Sequence, residues 1–288
     1  MPRVQPAKKN SSGLMALVGN SNLLLRVATS LVLAPLAIAA AYFGGLVFVL
    51  FWLAAALGVL WEWDTLVCAH DRNSVVTIGA VALVGAALLL AFDWSGTAIA
   101  LIALGAFGVA TLASRVRRAW CAAGLIYAAA LLIAPVVLRR DAALGFAAII
   151  LLFVIVWLTD ITAYFIGRAV GGPKLWPRVS PKKTWSGATG GTLAGVLGGV
   201  IVARQFGVTD LAAGAAVALG LSVMSQAGDL LESAVKRNFS AKDASSLVPG
   251  HGGLMDRLDG FVAAAVAAAL FGLLRGGLDT PAQGLMVW

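Results

Sequence analysis

The chain has 288 residues, 60% of them hydrophobic and only 12% charged, with a net charge of +8. Soluble domains carry about 25% charged residues, so the composition excludes a soluble protein and points to an integral membrane protein. The basic excess reads as the charge asymmetry of membrane topology, with no nucleic-acid partner expected. The two cysteines, Cys68 and Cys121, fit neither a disulfide framework nor a metal knuckle and read as buried, inert thiols.

In chain order, residues 1–22 are polar and basic and read as a cytoplasmic tail; the apolar run behind them is too long for a signal-peptide core. A membrane-spanning helix needs about 20 apolar residues. Nine such runs are predicted, at about 24–43, 46–63, 74–92, 95–113, 119–138, 142–167, 186–203, 209–232 and 254–275. The expected fold is an all-α polytopic membrane protein with about nine transmembrane helices. With the N-terminus inside, 17 of the 21 Lys and Arg residues fall in inner segments, and only Arg139, Arg140, Arg204 and Arg275 fall outside. That bias predicts a cytoplasmic N-terminus and an external C-terminus. Loops 168–185 and 233–253 then face the cytoplasm. Residues 23–140, with five spans and few polar groups, read as a scaffold. Residues 141–288, with four spans, read as the catalytic region.

Three polar clusters interrupt the second half. The first is "WLTDITAYFIGR", which places Asp160 in the sixth apolar span. A carboxylate in hydrocarbon is costly and normally faces a partner, a cavity or an ion. The second is "KLWPRVSPKKTWSGATGG", residues 174–191, where Pro177 and Pro181 preclude a continuous helix. Its bases and tryptophans alone would suit a loop lying over lipid headgroups. Ser180, Thr184 and Ser186 add hydroxyls that could complete a phosphate cradle, although the P-loop pattern is absent. Gly187, Gly191, Gly195 and Gly199 follow at intervals of four and form a smooth packing face.

The third cluster spans residues 225–260. On a helix, Asp229, Glu232, Ser233 and Lys236 share a face. Asp256 and Asp259, three apart at the start of the ninth span, add carboxylates of the kind that hold a hard cation such as Mg²⁺. Gly250, Gly252 and Gly253 permit positive φ and close backbone approach. His251 between them reads as a hydrogen-bonding residue, with acid–base work open to it.

The stretch "ESAVKRNFSAKDASSLVPGHGGLMDRLDG" resembles the signature of the phosphatidate cytidylyltransferase (CDP-diacylglycerol synthase) family. Its parts stand here in order as Ser233, Lys236–Arg237, Lys242–Asp243, Pro249–Gly253 and Asp256–Arg257–Asp259. "SPKKTW" and "TDITAYFIGR" are similar to further family segments, and the resemblance covers about residues 150–262. The chain departs from the family pattern at "NFSAKD", Ser186 and Thr162, none of them a charged motif position.

The resemblance implies a reaction of CTP with phosphatidate to give CDP-diacylglycerol and pyrophosphate. It implies Mg²⁺ dependence, K⁺ as a second cation, a homodimer, and a bacterial inner membrane with the site facing the cytoplasm. Carried onto this chain, it implies catalytic roles for Lys236, Arg237, Lys242, Asp243, His251 and Arg257. Substrate binding falls to Ser180, Lys182, Lys183, Thr184, Ser233, Gly252 and Gly253. The metal falls to Asp229, Asp256 and Asp259, with Asp160 as a further ligand.

The residues suit that chemistry. A phosphomonoester has a second pKa of about 6 and is largely dianionic at neutral pH, so it attacks without a general base. The need is for positive charge around two polyanions. A CDP-alcohol phosphotransferase is excluded, because Asp259-Gly260 leads into "FVAAAVAAAL" with no further acid before Asp279. A transporter is disfavoured, because no repeat is visible and the acids lie at helix ends beside basic loops.

Overall fold

The computed structural model describes residues 31–68, 72–245 and 252–288. Helix α1, Leu31–Phe43, is a short apolar helix, the described part of the first predicted span. Eight longer helices follow: α2 Gly45–Val67, α3 Arg72–Ala91, α4 Ser95–Leu112, α5 Arg118–Arg139, α6 Gly145–Val170, α7 Trp185–Gln205, α8 Leu211–Asn238 and α9 Met255–Gly276. All eight are long and apolar enough to cross a membrane. A short α10, Pro281–Met286, closes the chain. Eight of the nine predicted spans thus stand as long apolar helices among the described residues, and residues 24–30 of the first predicted span lie outside them.

One prediction gains detail and one needs correction. The expected loop at 168–185 is not wholly irregular. Strands β1, Lys174–Trp176, and β2, Ser180–Thr184, pair as an antiparallel hairpin, with Lys174 opposite Thr184 and Trp176 opposite Ser180. The prolines that break the helix here leave room for strand pairing in the turn between α6 and α7. Among the described residues the fold is therefore helical with one small hairpin. The cysteines are also not inert thiols: Cys68 and Cys121 form a disulfide, with Cα atoms 6.3 Å apart. Cys68 caps α2 and Cys121 lies in the first turn of α5. Helices α3 and α4 carry the chain away and back, so the two positions return to the same end of the bundle.

The helices are apolar on nearly every side, as a membrane span must be. Phe43, Leu104, Phe107, Leu193 and Leu274 stand exposed around the perimeter, whereas Trp52, Leu83, Leu132, Leu152 and Ile155 are buried. The glycine face of α7 packs against α6 as its spacing predicts. A Cβ on Gly187 would lie 2.6 Å from the Ala163 carbonyl oxygen, and one on Gly191 would lie 2.8 Å from Ala163 Cβ. Only glycine allows that approach.

Some helix ends are satisfied by side chains. Asp210 accepts the N–H groups of Ala212 and Ala213 at 3.0 Å at the start of α8. Arg139 donates to the Ala41 carbonyl at 2.5 Å and to the Tyr42 carbonyl at 3.1 Å; Arg140 donates to the Leu90 carbonyl and pairs with Asp93 at 3.1 Å. These two arginines, the local exception to the charge bias, serve as caps for the last carbonyls of α1 and α3.

Candidate active site

The polar clusters meet where the C-terminal ends of α2, α6 and α8 gather beside β2 and the N-terminus of α9. Close packing of α8 on α9 brings them together. A Cβ on Gly228 would lie 2.6 Å from the Asp259 carbonyl oxygen, and one on Gly260 would lie 2.6 Å from Ser225 Oγ. Asp229, the residue after one contact glycine, and Asp259, the residue before the other, are thereby held near each other.

Charges there are interleaved. Lys183 of β2 pairs with Asp229 of α8. Lys236 of α8 bridges Glu232, at 2.6 Å, and Asp256 of α9. Ser233 Oγ donates to Asp229 at 3.5 Å. The shared helical face predicted for Asp229, Glu232, Ser233 and Lys236 is thus present. Asp256 also accepts the N–H groups of Gly253 at 2.9 Å and Ala244 at 3.1 Å. Asp259 accepts the Gly260 N–H at 2.7 Å and stands within electrostatic range of Asp229, Glu232 and Asp160. Asp160 in turn feels Asp229, Lys183 and Arg257.

The remaining predicted residues divide by position. Thr184 caps α7 by accepting the Gly187 N–H at 3.1 Å, and Ser186 donates to the Gly171 carbonyl, so both hydroxyls have internal partners. Ser180 and Lys182 lie on β2, with Lys182 exposed. Arg237, at the end of α8, donates to the Ala241 carbonyl at 2.8 Å. Lys242 and Asp243 stand exposed in the bend that follows. Gly252 has φ +88°, the positive value anticipated for this turn. Gly253 is needed for close approach: a Cβ there would lie 2.8 Å from Asp256 Oδ2 and 3.0 Å from Glu62 Oε2. Pro249, Gly250 and His251 lie outside the described residues.

A cation was expected on Asp229, Asp256 and Asp259. Among the described residues no three acids, histidines or cysteines lie close enough to hold an ion together. The donor set is nevertheless all oxygen. Asp256 is engaged by Lys236 and two backbone N–H groups, whereas Asp229, Asp259 and Asp160 form a repelling group with no ion pair to Asp259 among the described residues. That set fits an ion that takes one or two carboxylates and completes its sphere with water and substrate oxygens, the habit of Mg²⁺. It does not form a closed protein cage.

Two site neighbours escaped the sequence reading. Glu62 of α2, fully buried, accepts hydrogen bonds from Ser245, Leu254 and Met255. Tyr127 of α5 has a buried hydroxyl without a hydrogen-bond partner among the described residues, and it lies in the field of Asp259, Glu232, Asp229 and Asp256. Both belong to the half of the chain expected to be scaffold. For Glu62, an acid at the end of an apolar span was signal enough.

Fold and site together define an integral membrane protein with a mixed acid–base centre at one end of a helical bundle. The chain belongs to the cytidylyltransferase family, whose model matches residues 24–274, and it is a nucleotidyltransferase. It is 43% identical over 264 residues to a phosphatidate cytidylyltransferase of Brucella abortus biovar 1 (strain 9-941), covering 88% of this chain and 94% of that protein. A protein of the same name from Brucella suis biovar 1 (strain 1330) is 42% identical over 271 residues, covering 91% and 97%. The phosphatidate cytidylyltransferase of Bacillus subtilis (strain 168) is 41% identical over 111 residues, covering 38% of this chain and 41% of that one.

Proposed function

We propose that this enzyme transfers the cytidylyl group of CTP to phosphatidate, giving CDP-diacylglycerol and pyrophosphate. The observation that carries the reading is near full-length similarity to proteins named for that activity. In the reaction a phosphate oxygen of phosphatidate attacks the α-phosphorus of CTP. The bond from that phosphorus to the β-phosphate oxygen breaks, and its electron pair leaves with pyrophosphate. The attacking group is already ionised near neutral pH, its second pKa being about 6, so the protein's work is positioning and charge compensation.

Lys183 and Lys236 pair directly with acids of the site and would bind phosphate oxygens once substrate displaces their carboxylate partners. Lys182, Arg237, Lys242 and Arg257 would add charge at the rim. Asp229 and Asp259, with Asp160 and Asp256 as further candidates, would hold Mg²⁺. Bound there, Mg²⁺ would neutralise the triphosphate and the developing charge on pyrophosphate. K⁺ as a second cation and a homodimer belong to the same proposal.

We place the site at the cytoplasmic face of a bacterial inner membrane, with the N-terminus inside and the C-terminus outside; the distribution of Lys and Arg supports this. The test is direct. Protein purified in detergent receives CTP, Mg²⁺ and phosphatidate, and CDP-diacylglycerol and pyrophosphate are measured. Equimolar appearance of both products is expected; absence of both would sink the proposal.

A further inference from the structure

Helix α9 begins without a side-chain cap of its own: Leu254, at its N-cap position, offers no acceptor. The first N–H groups of a helix need partners and carry partial positive charge. Here a carboxylate from the other half of the chain meets them. Glu62 Oε2 accepts the Met255 N–H at 2.6 Å, while Oε1 accepts the Leu254 N–H at 2.8 Å and the Ser245 hydroxyl at 2.5 Å. The side chain is 0% exposed and has no ion pair with Lys or Arg among the described residues. Glu62 and Asp256 divide the donors of this turn between them: Glu62 takes residues 254 and 255, and Asp256 takes residues 244 and 253.

A second contact keeps α2 in register with α9. Trp52 stacks on Phe261, with ring centroids 4.7 Å apart and planes at 2°. Between Trp52 and Glu62, Gly58 lets Leu254 approach, since a Cβ there would lie 2.8 Å from its side chain. The reach of Glu62 to the start of α9 is therefore fixed at two places along α2.

We infer that Glu62 is a positioning residue of the reaction centre, holding the first turn of α9, and with it Asp256 and Asp259, at the depth and rotation that the chemistry uses. The inference rests on the cytidylyltransferase reading, because that reaction defines the centre being positioned. Glu62 reaches substrate only through the turn that it holds. Both of its oxygens accept, so glutamine in either orientation sets an N–H₂ group against a donor.

The test compares wild type with Glu62→Gln in detergent, using CTP, Mg²⁺ and phosphatidate, together with hydrogen exchange of the backbone amides. We expect kcat to fall by about tenfold to a hundredfold with KM for CTP changed less than about threefold, as displacement of reacting groups does. The amides of residues 254 and 255 should exchange about tenfold faster while those in α5 and α6 stay unchanged, the mark of local opening. A wild-type kcat in Glu62→Gln overturns the inference. So does lost activity with faster exchange in every helix, which makes Glu62 a general stabiliser. Where Glu62→Gln does not fold, Glu62→Asp decides by the same readouts, since it keeps the charge and loses the reach: local opening with lower kcat supports the inference, and wild-type behaviour overturns it. A wild-type protein without turnover removes the assigned reaction instead, and the exchange of residues 254 and 255 still decides whether Glu62 holds the turn.

Discussion

Replacing Lys236 by methionine keeps the aliphatic stem and removes the amine that bridges Glu232 and Asp256. The three side chains are nearly enclosed: Lys236 is 10% exposed, Glu232 0% and Asp256 11%. Removing one partner of a buried ion pair destabilises by about 3–5 kcal/mol, because a charge is left without compensation. At about 2–4 °C per kcal/mol for a chain of this order, the apparent melting temperature should drop by about 6–20 °C. The loss should fall mainly on Glu232. Asp256 keeps its N–H partners from Gly253 and Ala244, whereas Glu232 has no hydrogen-bond donor beyond the ion pair among the described residues. Adding Glu232→Gln to Lys236→Met should therefore recover at least about half of the lost stability, the coupling expected of contacting groups. Turnover should not return, since the amine is still missing. Melting is followed by intrinsic fluorescence in detergent at one fixed scan rate, because unfolding of such proteins is commonly irreversible. A Lys236→Met protein that melts within about 2 °C of wild type would refute the reasoning, as that shift is under about 1 kcal/mol.

Lys183→Ala should raise the apparent KM for CTP or phosphatidate by about tenfold or more, a charge-assisted contact being worth about 1.5–3 kcal/mol. Lys182→Ala, at an exposed position, should have a smaller effect in the same steady-state assay. Mg²⁺ alone should raise the melting temperature of the wild type and do so far less in Asp259→Asn, since an ion at about 100 times its Kd stabilises by about 2.7 kcal/mol. Asp141 offers a pH-dependent check away from the site. It accepts N–H bonds from Ala143 at 3.0 Å, Leu144 at 3.1 Å and Gln283 at 2.8 Å; burial opposes its ionisation, but these bonds together outweigh burial and hold its pKa below the ordinary 3.8. A lowered pKa contributes stability that is present above about 3.8 and lost as pH falls through the folded value. Asp141→Asn should thus melt below wild type at pH 7, and the two curves should converge below about pH 4.

What was legible in the sequence followed from local pattern. The eight long helices announce themselves by apolar length, and the four-residue spacing of Gly187, Gly191, Gly195 and Gly199 foretells the face that packs on α6. The face holding Asp229, Glu232 and Lys236 is likewise a matter of helical period. Partnerships between distant segments were hidden. Lys236 could have bound solvent, substrate or any nearby acid, and only the packing of α8 on α9 selects Asp256. The pairing of Cys68 with Cys121 depends on α3 and α4 returning the chain to the same end. For Glu62 the sequence shows a costly acid at the end of an apolar span, but nothing near position 62 names the start of α9 as its partner. The hairpin was missed because two prolines argue against a helix but do not name the strand partner.

The linked group at the centre holds five carboxylates, on Asp160, Asp229, Glu232, Asp256 and Asp259, against three bases, Lys183, Lys236 and Arg257. Such a centre would repel the proposed substrates, CTP and phosphatidate, as it stands, since both are polyanions. On the proposed reading it would become hospitable once a cation offset the excess acid and the lysines turned from carboxylate to phosphate. On the proposed reading the acids would serve as a cation store rather than as groups that touch the nucleotide directly. Lys183 and Lys236, paired with Asp229 and Asp256, would on that reading exchange one oxyanion for another. Preorganisation of this kind reduces the reorganisation left for the reaction itself. The close glycine packing of α8 on α9 would serve the same end, by keeping the carboxylates that hold the lysines from drifting apart.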